Sequence, residues 1–182
     1  CHNAVDRHLA ERAEQNALIC VSSETGAERV YSYRELHAEV QRMAAILLDL
    51  GVRNGDRVLI YMPMIAEAAF AMLACVRIGA IHSVVFGGFA SHALASRIDD
   101  ARPALIVSAD AGMRAGKVLP YQPLLDEALR LSQHPPKQVL MVNRGLAELH
   151  PVTGRDVDYA AARERCLHVQ VPCEWLESSE PS

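Results

Sequence analysis

The sequence predicts an α/β fold: Rossmann-like, alternating βαβ units with a mostly parallel sheet, preceded by a helix and a β-hairpin. Three observations carry this. Between Arg57 and Val142, short apolar runs alternate with longer segments of helical spacing. The short runs are nearly uninterrupted (V-L-I-Y-M, V-V-F, L-I-V-S-A, V-L-M-V), as in strands buried on both faces. Gly, Pro or Asn-Gly stands at most of the boundaries.

Taken in order, Ala4–Glu14 reads as a modest helix, and Ala17–Ser22 and Arg29–Tyr31 as strands around a turn at Thr25-Gly26. Ser32-Tyr33-Arg34-Glu35 is a capping box: the Ser hydroxyl accepts from the Glu35 N–H while the Glu carboxylate reaches back. Leu36, Val40, Met43, Leu47 and Leu48 continue that helix, and Gly51 is its expected stop. Then follow strand Arg57–Met62, an Ala-rich helix Ile65–Ile78, strand Ile81–Phe86, helix Ser91–Ala101, strand Ala104–Ala109, helix Pro123–Ser132 and strand Gln138–Val142. Arg144–Gly154 reads as loop, Asp158–Arg165 as a short helix and Val169–Val171 as a weak strand. The expected organisation is therefore a helix plus hairpin over 1–34, a βαβ repeat over 35–143 and an irregular linker over 144–182.

Composition excludes several classes of function. A net charge of −4 argues against nucleic acid or an anionic membrane as the main partner. The longest apolar run, Ala68–Val76, is far short of the about 20 residues needed to span a bilayer. Five cysteines without a C-x-x-C pair fit free thiols and a cytoplasmic, reducing compartment; Cys20 and Cys75, within apolar runs, are expected in the core. No Walker loop, G-x-G-x-x-G or G-x-S-x-G occurs, and the histidines have no metal-ligand spacing, so no metal site is expected. His82, within an apolar strand, is expected to be a hydrogen-bonded core residue, and Asp99-Asp100 a solvated face.

In open parallel sheets ligands gather at the carboxyl ends of strands. Two of the four strand-to-helix junctions carry features there. Phe86-Gly87-Gly88-Phe89 sets two glycines between aromatics, which permits close approach to the main chain; a tight turn is the plainer reading of spacing alone. Ala109 to Pro120 reads as an accessible loop with Arg114 and Lys117 three positions apart around Ala115-Gly116. Two such cations can grip a phosphate, but composition alone also accommodates two solvated surface charges. The first strand ends in Met62-Pro63-Met64, without the acidic cluster of a phosphoacceptor domain.

At motif level the chain resembles the acetyl-/propionyl-CoA synthetase branch of the adenylate-forming enzymes. The likeness rests on Gly55-Asp56-Arg57-Val58, Tyr61-Met62-Pro63-Met64 and above all the run from Arg77 to Phe89, R-I-G-A-I-H-S-V-V-F-G-G-F. Four later segments resemble the propionate-using members more than the acetate-using ones: Ser96–Pro103, Ser108–Gly112, Gly154–Asp158 and Trp175–Ser178.

The resemblance implies an AMP-forming ligase that joins propionate to CoA with ATP and Mg2+, through an acyl-AMP. It implies that Phe86, Gly87 and Gly88 lie along the CoA site, and that Arg114 and Lys117 hold the CoA 3′-phosphate. Acetate-using relatives commonly carry Arg at both cationic positions; Lys117 keeps the charge without the forked geometry. It further implies that this chain is an amino-terminal fragment. The family's phosphate loop, acyl pocket and carboxyl-terminal domain would lie beyond Ser182, so no catalytic residue is expected here and the isolated piece is expected to be inactive. An acetate–CoA ligase fragment and a non-catalytic CoA- or nucleotide-binding module stand as the alternatives.

Overall fold

The computed structural model describes residues 1–22 and 26–176. Thr25 of the expected first turn, and Glu177 and Ser178 of the W-L-E-S segment, lie outside the described residues.

A short 310 turn (Asp6–His8) and α1 (Leu9–Arg12) open the chain. The antiparallel hairpin β1 (Asn16–Val21) and β2 (Glu28–Ser32) follows. The first helix is therefore shorter than the sequence suggests. Its continuation is diverted to serve the next one: the carbonyls of Ala13 and Gln15 accept from the Arg34 and Tyr33 N–H groups, two otherwise orphaned donors of α2 (Tyr33–Asp49). The capping box forms as expected, with Glu35 N–H donating to Ser32 Oγ (3.2 Å) and Ser32 N–H to Glu35 Oε2 (2.8 Å). Gly51, at φ +89, ends the helix.

The central sheet contains β3 (Arg57–Met62), β4 (Ile81–Phe86), β5 (Leu105–Ala109), β8 (Val139–Val142) and β9 (Asp156–Asp158). Their order is β4-β3-β5-β8-β9 and every pairing is parallel. Helices α3 (Ala66–Arg77) and α4 (Ser91–Ala101) connect successive parallel strands, and α5 (Gln122–Leu131) precedes β8. α6 (Tyr159–Arg165) follows β9, its first turn capped by Asp158, whose carboxylate accepts from Ala161 N–H at 2.7 Å.

Strand alternation divides the core. Val58, Ile60 and Met62 pack with residues of α2, α3 and α6; Leu59 and Tyr61 pack with α4 and α5. Each fully buried Leu or Ile contributes about 1.5–3 kcal/mol. This two-sided burial produces the continuous apolar strands seen in the sequence.

Three further expectations are corrected. The stretch from Ala109 to Pro120 is not a plain loop but a second antiparallel hairpin, β6 (Ala111–Arg114) and β7 (Lys117–Pro120). Arg144–Gly154 is the loop expected, but the linker beyond it delivers a fifth strand, β9, whose Asp-Val-Asp sequence has no apolar run to announce it. Val169–Val171 forms no strand, because side chains hold it instead: Val171 N–H donates to Gln41 Oε1 (2.7 Å) and its carbonyl accepts from Arg77 Nε (2.7 Å). Arg77 is buried and makes a paired contact with Asp6 (2.6 and 3.0 Å), so one guanidinium joins both ends of the described chain to α3.

Candidate functional site

After β4 the chain crosses to the other side of β3 to form β5, so the winding reverses at the carboxyl ends of β3 and β5. In open parallel sheets that reversal leaves a crevice where ligands bind. A cavity of about 440 Å3 lies there, within the range of small-molecule sites. It is bounded by Met62–Met64 after β3, by Val84–Gly88 at the end of β4, and by Gly112–Arg114, Leu119 and Tyr121 of the hairpin and its base. Its lining is mainly apolar, and Arg114 is the charged residue among the described residues that line it.

The second and third junctions thus meet. A Cβ on Gly88 would lie 3.4 Å from Arg114 Nη1 and 2.8 Å from Phe86 Cε1. Phe86 is 67% exposed at the rim and offers a flat apolar surface to a ring that stacks on it. Among the described residues the exposed Arg114 side chain has no acidic partner. Lys117 does not line the cavity. It is the cross-strand partner of Arg114, closing the hairpin around Ala115 (φ +51) and Gly116 (φ +75). Two left-handed residues make the tight turn whose twist suits a two-residue hairpin. Residues directly opposite in an antiparallel pair point to the same face, with Cβ atoms about 5 Å apart. Both cations are therefore presented on one side of the hairpin.

Gly87 has a different neighbour. A Cβ there would fall 2.1 Å from the Tyr121 hydroxyl, and one on Gly112 would fall 2.4 Å from it. The Tyr121 phenol is buried between the two glycines, and its ring lies 5.0 Å from that of Tyr61. Tyr61 Oη donates to the Phe89 carbonyl (3.3 Å), and burial pushes its phenol up to about 12, so it remains a donor. The Gly pair is consequently not one kind of opening. Gly87 makes room for an internal aromatic, whereas Gly88 leaves space next to Arg114.

Sequence reasoning missed Tyr121, Asp110 and Arg144. Asp110 is fully buried, and its carboxylate accepts backbone N–H groups from Ala111 (2.8 Å), Leu146 (2.7 Å) and Ala147 (3.2 Å). Arg144 Nη1 donates to the Ala111 carbonyl (2.9 Å). Together they hold the base of the hairpin. An acid directly after a buried strand was the only local signal; the other two act through contacts distant in sequence.

Other candidates resolve differently. His82 is half-buried on edge strand β4, and its buried Nδ1 has no hydrogen-bond partner among the described residues, contrary to expectation; burial holds its pKa below the ordinary value. Asp99 is not simply solvated: Oδ1 accepts from Ser132 Oγ (2.6 Å) and from the Gln133 and His134 N–H groups, which fixes the end of α5. Cys75 is in the core, while Cys20 is only half-buried and lines a separate groove beside β1. No helix among the described residues is long and apolar enough to cross a membrane.

A doubly wound parallel sheet with a largely apolar cleft and a cation at its switch point defines an α/β domain of the kind that takes ligands at the carboxyl ends of its strands. The profile of the AMP-binding enzyme family matches residues 5–169, and the chain belongs to that family. It is 63% identical over all 182 residues to the propionate–CoA ligase of Salmonella typhimurium strain LT2, and 60% identical over the same length to that of Escherichia coli K12. In both cases it covers 29% of the relative, so it spans under a third of the length of these enzymes. Acetoacetyl-CoA synthetase from Streptomyces lividans shares the fold, with a TM-score of 0.83 at 24% identity, over 98% of this chain and 26% of that one.

Proposed function

We propose that this chain is part of the large amino-terminal domain of an AMP-forming propionate–CoA ligase, and that it supplies the cradle for the nucleotide end of CoA. In the reaction, a propionate oxygen attacks the α-phosphorus of ATP, the bond to pyrophosphate breaks, and propionyl-AMP forms. The CoA sulfur, having lost its proton, then attacks the acyl carbon and AMP leaves. ATP, CoA and propionate are the substrates, Mg2+ attends the nucleotide, and the rest of the polypeptide, including a carboxyl-terminal domain, supplies the reacting centre. The cytoplasm is the proposed compartment.

One observation carries the reading: Arg114, without an acidic partner among the described residues, stands against Gly88 in a cleft with Phe86 at its rim. An apolar cleft with a cation at its edge suits a flat base bearing a phosphate. In this arrangement the adenine lies on Phe86, Gly87 and Gly88, and the 3′-phosphate is held by Arg114, bidentate, with Lys117 as a point charge. Identities of 60–63% to propionate–CoA ligases favour propionate as the acid.

The test is AMP release by a protein of the relatives' full length that carries this chain. With ATP, Mg2+ and CoA it should turn over propionate in preference to acetate, while the 182-residue chain alone releases no AMP above blank. Turnover by the chain alone, or none by the longer protein with either acid, refutes the assignment.

A further inference from the structure

The β6–β7 hairpin is a separate two-stranded sheet, joined by no backbone ladder to the five-stranded one. It springs from β5, yet Arg114 must reach the turn after β4, and β3 lies between those strands. Neighbouring strands are about 4.8 Å apart, so the hairpin leans across about 10 Å of sheet edge. Side chains must set where it comes to rest.

Tyr121 occupies that gap. It follows β7 directly, and its N–H donates to the Asp110 carbonyl (2.9 Å), which anchors it at the hairpin base. Its ring passes beside Tyr61 of intervening β3, and its hydroxyl ends between Gly112 of the hairpin and Gly87 of the β4 turn. Neither glycine position has room for a Cβ, so the two backbones close on the phenol from both sides.

We infer that Tyr121 is a positioning residue for the CoA nucleotide: its buried phenol is a spacer that sets the distance between the Gly87-Gly88 turn and the hairpin bearing Arg114. This inference rests on the reading of the cleft as a CoA site. A cation moved by about 1 Å loses much of a bidentate phosphate contact, and misplacement on that scale can cost up to about a hundredfold in rate or affinity. Shortening the spacer therefore affects CoA and its 3′-phosphate selectively, and leaves the chemistry of acyl-AMP formation to the rest of the protein.

The test is a kinetic cycle in the full-length ligase with Tyr121→Phe, Tyr121→Leu, Gly87→Ala and the Tyr121→Leu/Gly87→Ala pair, and Arg114→Ala as reference. Tyr121→Phe removes only the hydroxyl and keeps the ring packing, so it remains informative if Tyr121→Leu fails to fold. Both Tyr121 variants should raise KM for CoA about tenfold, with kcat changed less than about twofold and a smaller rise with 3′-dephospho-CoA. Gly87→Ala should raise it similarly alone but add little to Tyr121→Leu, because the atom it strikes is gone. If Arg114→Ala raises KM for CoA and the Tyr121 variants do not, the spacer role is overturned and the CoA reading stands. A fall in kcat and melting temperature with KM unmoved also overturns it, leaving Tyr121 a packing residue. If Arg114→Ala itself leaves KM unmoved, the underlying reading fails and the inference with it.

Discussion

Arg114 and Lys117 face each other as the pair that closes the β6–β7 hairpin, two cations held on one face with no acid bonded to either among the described residues. Like charges directly opposite in a sheet are destabilising, and an anion between them relieves the repulsion. Lys117→Gln is therefore expected to stabilise the ligand-free protein by about 0.2–1 kcal/mol and to weaken CoA binding. Urea unfolding with and without CoA measures both effects. Lower stability without ligand would mean that Lys117 serves the fold and not an anion.

The two glycines after β4 should respond differently to the same methyl group. Gly87→Ala drives a Cβ to 2.1 Å from a buried phenol oxygen and 2.6 Å from Cζ, so the aromatic must move. Overpacking of that kind costs about 1–3 kcal/mol. Gly88→Ala meets the exposed ring of Phe86 and the end of a long guanidinium, both free to swing away, so its cost should stay under about 1 kcal/mol. Its effect falls on the ligand, since the methyl occupies the space next to Arg114. Chemical unfolding of both variants checks the ranking; equal stabilities would contradict the spacer geometry.

Acid should loosen the hold of Arg77 on the turn at Asp6. Burial pushes the Asp6 carboxyl up, but its bonds to the Arg77 guanidinium outweigh this and hold it below the ordinary value of 3.8. A depressed folded-state pKa gives stability that is fully present above 3.8 and is lost as pH falls through the lower folded value. Asp6→Asn leaves the buried Arg77 guanidinium without its counter-charge and should cost about 3–5 kcal/mol at pH 7. Below pH 3.8 the wild-type protein loses the same contribution, so the gap between the two should narrow. A gap that stays constant from pH 7 to pH 3 would show that the ion pair adds nothing.

The capping box offers an independent check on the fold. Ser32→Ala removes the acceptor for Glu35 N–H and should cost about 1 kcal/mol, measured by thermal or urea unfolding. An unchanged midpoint would place the entry to α2 under other control.

Much of this architecture is legible in the sequence because burial on two faces writes itself as apolar runs. The strands β3, β4, β5 and β8 are visible for that reason, and the start of α2 is visible because four residues suffice to cap it. β9 escapes notice because Asp156 and Asp158 flank a single Val. The β6–β7 hairpin is hidden because its turn begins with Ala115, which carries no turn signal of its own and takes a left-handed conformation only beside Gly116. At the cleft, the Gly pair and the two cations stand out, but their meeting does not. That depends on Tyr121 spanning β3, a contact between residues 34 positions apart, in a pattern no local spacing encodes. The close fit of Gly87 against the Tyr121 phenol, at one wall of the cleft, has the same origin.

In the proposed site, Arg114 recognises the 3′-phosphate of CoA from the rim of the cleft. Calorimetric titration of the full-length protein with CoA and with 3′-dephospho-CoA, in wild type and Arg114→Ala, decides whether it does. A charged contact of about 1.5–3 kcal/mol predicts that wild type prefers CoA by roughly ten- to a hundredfold, and that the substitution removes most of that preference. Equal affinity of the wild-type protein for the two compounds would contradict it.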